Sequence, residues 1–190
     1  MMDRLFPGRT RLSGAWLILL LLLLGLLGGC QAKEPPLSPA AAAFKKEVQD
    51  CLDRLCQGLV GSILKRDVDA LNETLKKVEP EALKLCRMCP FRIGILDKNG
   101  ETLTVYPFKI EAMGNFANYG GVARTLKNRQ INQQRLYLQD GSEIYLILIP
   151  LLRDKDLVGI MVLSLSAKDA HDRWDLTEKE FMDINFNIKR

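Results

Sequence analysis

The stretch that decides the fold is Glu143–Leu165, which reads EIYLILIPLLRDKDLVGIMVLSL. It contains two apolar runs, Ile144–Ile149 and Leu157–Leu163, and the charged residues Arg153–Asp156 between them predict a tight turn. Both runs place apolar side chains on both sides of the pleat, whereas a strand with one solvated side alternates apolar and polar residues. The sequence therefore predicts a β-hairpin whose two faces are both covered by other parts of the chain.

Three further strands precede this hairpin. Gln134–Leu138 leads into it across a turn at Asp140-Gly141. Phe91–Leu96 and Thr102–Tyr106 are joined through Asn99-Gly100, a dipeptide typical of hairpin turns because both residues tolerate a positive φ. Five strands joined mostly by short turns predict an antiparallel sheet.

Helices are predicted on both sides of the first hairpin. Apolar residues recur every three or four positions in Phe44–Leu64, and Val68–Leu85 is a second helical stretch that runs back antiparallel to it. The predicted fold class is therefore α+β, a five-stranded antiparallel sheet with an N-terminal helical hairpin and a helical insert between strands 2 and 3. The insert, Pro107–Gln133, contains a helical piece at Val122–Asn128. Because long loops in compact domains are often binding loops, the insert is the expected functional element.

The N-terminus has the pattern of an export signal. Three arginines precede an apolar run that ends in Leu27-Gly28-Gly29-Cys30, so residues 1–29 are predicted to be a signal peptide. The apolar run, Ala15–Gly29, is shorter than the roughly 20 residues that a spanning helix needs. The tetrapeptide resembles the lipobox of bacterial lipoproteins, which implies that Cys30 carries lipid, such as palmitate. An uncleaved anchor and ordinary secretion are the alternatives. Gln31 in place of aspartate favours the outer membrane, with the protein facing the periplasm.

The residues that follow Cys30 have a different composition. Residues 30–43 contain three prolines and a run of four alanines and are predicted to be a flexible tether. The signal peptide holds three arginines against Asp3, so its removal lowers the formal charge from +4 to +2. A charge this close to neutral gives no electrostatic basis for binding nucleic acid.

Four cysteines remain besides Cys30, and an even number in an exported chain predicts disulfides. On one helix Cys51 and Cys56 would be rotated about 140° apart and separated by about 7.5 Å of rise, beyond the reach of a bridge. Facing residues of an antiparallel hairpin have position numbers with a near-constant sum. This relation pairs Cys51 with Cys89 and Cys56 with Cys86.

Two alternatives for these cysteines stay open. Cys86 and Cys89 could serve a thiol oxidoreductase, although they follow a predicted helix, whose C-terminal dipole does not lower a thiol pKa. A four-cysteine metal site is the other alternative, because thiolates suit zinc or an iron–sulfur cluster. The preferred interpretation has no metal, no cofactor and no catalytic residue. The only histidine, His171, lies in a polar run and is predicted to be solvated.

Residues 44–167 resemble a single Cache domain, the extracytoplasmic PAS-like sensor module of bacterial receptors. The resemblance rests on the two helices, on Leu96–Gly100 in the first hairpin, on the helical insert, and on Ile149-Pro150-Leu151 followed by Leu157–Ile160. It implies a small-molecule pocket between sheet and insert. The chain is separately predicted not to be an enzyme. The ligand motifs of the family have no residue-by-residue match here, which leaves the ligand open.

Beyond the resemblance, residues 168–190 are predicted to be a polar tail with a short helix opened by the capping box Thr177–Glu180. No second apolar span follows, so a signal is expected to leave through a partner protein. The predicted function is a lipid-anchored periplasmic module that binds or senses a small molecule. The alternative is a structural or interaction lipoprotein whose pocket is filled by its own side chains.

Five residues are the candidate ligand contacts: Tyr106, Tyr119, Arg124, Tyr137 and Tyr145. They lie on the insert or on strands expected to face it. Tyrosine combines an apolar ring with a polar tip, and Arg124 could hold a carboxylate in two parallel hydrogen bonds. For each of them the alternative is a half-buried sheet residue or a solvated helix charge.

Overall fold

A computed structural model describes residues 36–56, 58–85 and 92–187. Contacts divide the chain into Met1–Pro36 and Leu37–Arg190, and the second unit holds the folded domain. Its helices are α1 Pro39–Leu55, α2 Leu59–Lys65, α3 Val68–Leu85, α4 Gly120–Asn128, α5 Ala167–Trp174 and α6 Glu178–Asp183. Its strands are β1 Ile93–Asp97, β2 Thr102–Tyr106, β3 Asn132–Tyr137, β4 Glu143–Arg153 and β5 Asp156–Ser166. Within the described ranges, no helix has the length and apolar character that a membrane crossing requires.

The five strands form one antiparallel sheet in the order β2-β1-β5-β4-β3. β4 and β5 contain eleven residues each and pair from Ile144 opposite Ser166 to Arg153 opposite Asp156. Their central residues are buried, as expected for strands covered on both sides. The predicted α+β class, the five-stranded antiparallel sheet and the helical insert between strands 2 and 3 are confirmed.

One face of the sheet, the helix face, packs against α1, α2 and α3. Phe44 of α1, Leu71 of α3 and Met161 of β5 have no exposed surface and belong to one apolar core. A single helix is predicted over Phe44–Leu64, but the structure has two: α1 ends at Leu55, before Gly58, and α2 begins at Leu59, after it. The opposite face, the insert face, is covered by the chain between β2 and β3. Both faces of the sheet are therefore covered, as predicted.

α1 begins inside the predicted tether. Ser38 caps the helix by accepting a hydrogen bond from the backbone N–H of Ala41 at 3.1 Å. Pro39 occupies the first turn, where its missing N–H would have had no helical partner. Because Ala41 is only 1% exposed and belongs to the core, the tether predicted for residues 30–43 is too long.

The C-terminal segment is also part of the core, so the polar tail predicted for residues 168–190 is wrong in its described part. Four of its large apolar side chains are at most 4% exposed: Leu176, Phe181, Ile184 and Phe186. The ring centroid of Phe181 lies 6.2 Å from that of Phe44 and 4.3 Å from that of Tyr145. The domain therefore extends past the boundary predicted at residue 167, because a mostly polar segment can still bury one apolar side.

The start of α6 is held by the predicted capping box, in which Thr177 and Glu180 exchange hydrogen bonds. Hydrogen bonds from Ser38, the larger cause, and from Thr177 lower the pKa of Glu180 to about 2. α6 is thereby tied to the residue that caps α1. The side chain of His171 is 65% exposed, so it is solvated as predicted.

Candidate functional site

A cavity of about 200 Å³ lies between the insert face of the sheet and the insert. The apolar residues of the sheet and α4 that line it are Gly94, Leu96, Val105, Val122, Leu136, Leu146, Leu148 and Val162. The loop before α4 contributes Ala112, Phe116 and Tyr119, and the strands contribute the polar residues Thr102 and Gln134. A mostly apolar cavity with a few polar groups is typical of small-molecule sites.

Two larger grooves lie elsewhere on the domain, with volumes of about 520 and 550 Å³. The first runs beside Arg129 and Gln133, and the second runs beside Arg66 and Asp156. Charged and amide side chains dominate both linings. The smaller cavity is the stronger candidate, because burial of apolar surface, rather than groove size, drives the binding of small ligands.

The N-terminal end of α4 lies directly on the sheet. The backbone N–H of Gly121 donates to Oε1 of Gln134 at 2.6 Å. A Cβ atom at position 121 would overlap that oxygen and would lie 2.9 Å from Cδ1 of Leu148. Glycine is required here because α4 approaches β3 and β4 at backbone distance.

The remainder of α4 is held by a buried hydroxyl. Thr125 has no exposed surface, and its Oγ1 donates to the carbonyl oxygen of Gly121 at 3.0 Å. Nδ2 of Asn132 donates to the same Oγ1 at 2.9 Å, which connects the helix to the start of β3. The Thr125 hydroxyl both donates and accepts a hydrogen bond in this contact, and these bonds hold α4 in place as one wall of the cavity.

The first half of the insert is fixed to the β1–β2 hairpin. The hydroxyl of Thr102 shares its one proton between the carbonyl oxygens of Ala112 and Gly114, which lie 3.2 and 3.0 Å from its Oγ1. Gly100 has a φ of +79°, and a Cβ atom there would lie 2.7 Å from the backbone nitrogen of Ala117. The loop therefore packs against the turn predicted at Asn99-Gly100, and that packing closes the cavity at the β2 edge of the sheet.

A buried carboxylate stabilises the same turn. Oδ1 of Asp97 accepts hydrogen bonds from the backbone N–H groups of Asn99 and Glu101 at 2.8 and 3.0 Å. Oδ2 accepts from the guanidinium of Arg66 at 3.0 Å. Both oxygens are engaged in holding the hairpin, and an aspartate two residues before Asn99-Gly100 is typical of such turns. Asp97 is therefore structural and does not line the cavity.

Tyr119 is the one candidate contact among the five that lines the cavity in the described part of the chain. Its side chain lies at an exposed edge, 58% accessible, and its ring centroid is 5.2 Å from that of Phe116. The prediction that the insert and the facing strands surround a pocket agrees with this placement. The role of Tyr119 in binding stays a prediction.

Tyr106 and Tyr145 lie on the helix face, so the expectation that they face the insert is wrong. Tyr145 is 4% exposed and stacks on Phe181, and burial, the main cause, raises its pKa. Tyr106 is half-buried against the same core. The reason is the strand register: Tyr145 shares the side of β4 taken by Ile147, whereas Leu146 and Leu148 point to the cavity.

Tyr137 and Arg124 are exposed and do not belong to the cavity lining in the described chain. The ring of Tyr137 stacks under the guanidinium of Arg135, which lies 4.4 Å from the ring centroid. On α4 the buried residues are Gly121, Val122 and Thr125, and Arg124 is exposed. An arginine that could clamp a carboxylate inside the cavity is therefore not supplied by α4.

Sequence reasoning missed Gln134 and the apolar residues of the insert face. Gln134 occupies the same side of β3 as Leu136, which lines the cavity beside it. The alternation of side chains along the strands could have identified these residues, because the even-numbered residues of β3 and β4 share the insert face. The alternation does not predict which of the two faces borders a cavity.

The cysteine predictions fall largely outside the described residues. Cys30, Cys86 and Cys89 lie there, so lipidation and both disulfides stay predictions. Cys51 is buried, and Cys56 is half-buried at the end of α1. Burial, and to a smaller extent the charge of Asp53, raises the pKa of the Cys56 thiol to about 12. A thiol with that pKa is protonated at neutral pH and is a poor redox nucleophile.

Comparison with known proteins supports the fold. No family model and no curated protein matches the sequence. Among solved structures, the extracellular domain of a protein assigned as a histidine kinase superposes with a TM-score of 0.55 at 14% identity, over 74% of this chain and 57% of that one. A domain of a sensory box/GGDEF family protein from Vibrio parahaemolyticus superposes with a TM-score of 0.52 at 13% identity, over 74% of this chain and 60% of that one.

This chain therefore spans less than two thirds of the length of either solved chain. At such low identity the likeness defines a fold: an α+β domain with a five-stranded antiparallel sheet, shared with domains of signalling proteins. It agrees with the resemblance to a PAS-like Cache domain drawn from the sequence. Neither neighbour is described as an enzyme domain.

Proposed function

We propose that this chain is a lipid-anchored sensory module that binds a small molecule in the insert-face cavity and acts through a partner protein. The observation that carries the proposal is the cavity, about 200 Å³ of apolar space bounded by all five strands and closed by the insert. A pocket filled by the protein's own side chains would leave no such space. The sensory context of the two structural neighbours supports a binding role rather than a catalytic one.

The test of ligand binding is native mass spectrometry of the protein purified from its own host. Wild type should retain a small molecule that Val162→Phe loses, because the larger ring occupies the cavity. Arg124→Ala is the matched control, since it changes an exposed residue outside the lining, and it should retain the molecule. Wild-type protein that carries no molecule, or Val162→Phe that carries the same one, would contradict the proposal.

The lipid anchor is proposed at Cys30, after removal of residues 1–29. The nine residues from Cys30 to the start of α1 at Pro39 can extend at most about 30 Å, which holds the domain close to the membrane. Gln31 favours the outer membrane and a periplasmic position. Cys30→Ala should accumulate as an unprocessed precursor in fractionated cells. Normal cleavage and acylation of that variant would overturn the anchor.

The two disulfides, Cys51–Cys89 and Cys56–Cys86, are proposed as structural links between the end of α1 and the residues after α3. Non-reducing peptide mapping should recover both cross-linked peptides. Four reactive thiols would exclude the bridges, and stoichiometric zinc or iron would favour the metal alternative. Loss of one pair should reduce stability without removing the ligand, whereas a thiol oxidoreductase would lose its activity.

The partner protein is proposed because the structural neighbours are parts of signalling proteins. In-cell cross-linking should recover a protein whose yield differs between wild type and Val162→Phe. The same yield with both proteins would indicate that the cavity does not control the contact.

A further inference from the structure

We propose that the ligand of the insert-face cavity is a small uncharged molecule, mostly apolar, that carries a hydrogen-bond acceptor, such as an alcohol, ketone or ester. This inference rests on the proposed function, that the cavity binds a ligand, and names the chemical class of that ligand. Three properties of the lining lead to it: its charge, its size and one unused donor.

The lining excludes charged ligands first. None of the described residues around the cavity carries a formal charge, and Arg124, the predicted partner for a carboxylate, is exposed and does not line the cavity. An ionised group in an apolar cavity loses its hydration and needs a charged or strongly hydrogen-bonding partner. A ligand carboxylate would find no cation here. A ligand ammonium would find the rings of Phe116 and Tyr119 but no carboxylate.

The size of the cavity limits the ligand to a small molecule. Its volume is about 200 Å³. An engineered apolar cavity of roughly 150 Å³ in another protein binds benzene, so this one should hold roughly six to ten non-hydrogen atoms. Such a space suits a substituted benzene ring or a short aliphatic chain.

One donor of the lining is unused. The hydroxyl of Thr102 is engaged with the carbonyl oxygens of Ala112 and Gly114. Gln134 accepts from the backbone N–H of Gly121 through Oε1, and because an N–H can only donate, this bond fixes which end of the amide is oxygen. Within the described chain, the Nε2 group of Gln134 then has no acceptor. A ligand oxygen is the group that would satisfy it.

The experiment uses full-length protein purified in detergent and four probes of matched shape: toluene, benzyl alcohol, benzylammonium and benzoate. Binding is followed by NMR through the backbone amide of Gly121 and the side-chain amide of Gln134, with affinities referred to the free aqueous probe. Benzyl alcohol should bind at least about 10-fold more tightly than either charged probe.

Three variants locate the effect. Val162→Phe should abolish the shifts by filling the cavity, and Leu146→Phe repeats the test if the first variant does not fold. Arg124→Ala should behave as wild type. Gln134→Leu should reduce the preference for benzyl alcohol over toluene by about 3- to 10-fold, a ratio that a merely structural effect on the cavity would leave unchanged.

The outcomes separate the two proposals. Cavity-dependent binding of benzylammonium or benzoate as tight as that of benzyl alcohol would overturn the ligand class and leave the small-molecule function intact. If no probe produces shifts that Val162→Phe or Leu146→Phe removes, the ligand class is also overturned. The retained-molecule measurement then decides the proposed function by itself.

Discussion

The helix face and the insert face of the sheet use alternate residues of the same strands, and they are packed very differently. On the helix face, Phe44 contacts the rings of Trp174, Phe181 and Phe186 at centroid distances of 5.1, 6.2 and 6.5 Å. On the insert face, equally apolar strands leave a cavity of about 200 Å³. The difference comes from the covering segments, since the strands supply similar side chains to both faces.

The covering segments differ in the size of the side chains they bring. The helix face receives large rings from α1 and from the C-terminal segment. The insert face receives the small residues Gly121, Val122 and Thr125 from a nine-residue helix, and the rings that the loop before it adds, Phe116 and Tyr119, are not fully buried. Small residues let α4 approach the sheet at one end, so the space farther along, under the loop, stays open. A hollow binding face and a filled structural face can thus share one sheet.

The largest expected effect on stability comes from removing a buried ring from the helix face. Phe44→Ala removes a fully buried ring from the aromatic cluster and should lower the free energy of unfolding by about 3–5 kcal/mol in a urea titration. Phe116→Ala, its counterpart on the insert face, removes a half-buried ring beside space that is already empty and should cost less than about 2 kcal/mol. Equal losses would show that the two faces are packed alike.

Enlarging a side chain should also destabilise the helix face more than the insert face. Leu163→Phe overpacks the helix face and should cost about 1–3 kcal/mol. The neighbouring change Val162→Leu adds one methylene toward the cavity and should alter the free energy of unfolding by less than about 0.5 kcal/mol. The pair is matched because adjacent strand residues point to opposite faces. A large loss with Val162→Leu would mean that the cavity is not open to a side chain.

The position of α4 can be tested with two adjacent glycines. Gly121→Ala places a Cβ against Gln134 and Leu148 and should cost about 1–3 kcal/mol while weakening ligand binding, because α4 must move away from the sheet. Gly120→Ala meets only Nη1 of Arg124 at 3.5 Å, an ordinary contact, and should be neutral or slightly stabilising. Calorimetric unfolding distinguishes the two variants. Similar stability in both would contradict the close approach of α4.

The smallest expected effect concerns acid. The pKa of Glu180 is about 2 in the folded protein against a usual 4.5, so its stabilising contribution is fully present above about pH 4.5 and is lost as the pH falls toward 2. Unfolding measured from pH 7 to pH 2 should show a flatter dependence for Glu180→Gln than for wild type. Ligand affinity at the insert face should not change over this pH range, because none of the described residues that line the cavity titrates in it. A ligand affinity that falls together with stability as the pH is lowered would show that the two faces are coupled.

The elements that the sequence predicted correctly are those that depend on interactions between residues close together in the chain. The hairpins were predictable because Asn99-Gly100 and the turn at Asp154 depend on neighbouring residues, and because the apolar runs of β4 and β5 are long enough to require two covered faces. α6 was predictable for the same reason, since its capping box spans only Thr177 to Glu180. Local chemistry determines local structure.

The binding residues were less predictable. Tyr106, Tyr119, Tyr137 and Tyr145 were proposed from side-chain chemistry, yet a tyrosine on a strand can serve either face, and only Tyr119 lies at the cavity in the described chain. Gln134 carried no distinguishing chemistry in the sequence. Its importance comes from a hydrogen bond to Gly121, thirteen residues earlier, which exists only when α4 lies on β3.

The sequence by itself determined the strands, the turns, the helical regions and the need to cover both faces of the sheet, because alternation and turn chemistry act over a few residues. Only the tertiary structure decided what covers each face. The C-terminal segment joins the aromatic cluster of the helix face through contacts between Phe181 and Phe44, which are far apart in the chain. The cavity exists because small residues of α4 fit closely against β3 and β4 while the adjoining loop does not fill the remaining space. Such packing depends on the volumes of side chains from distant segments, which no local pattern encodes.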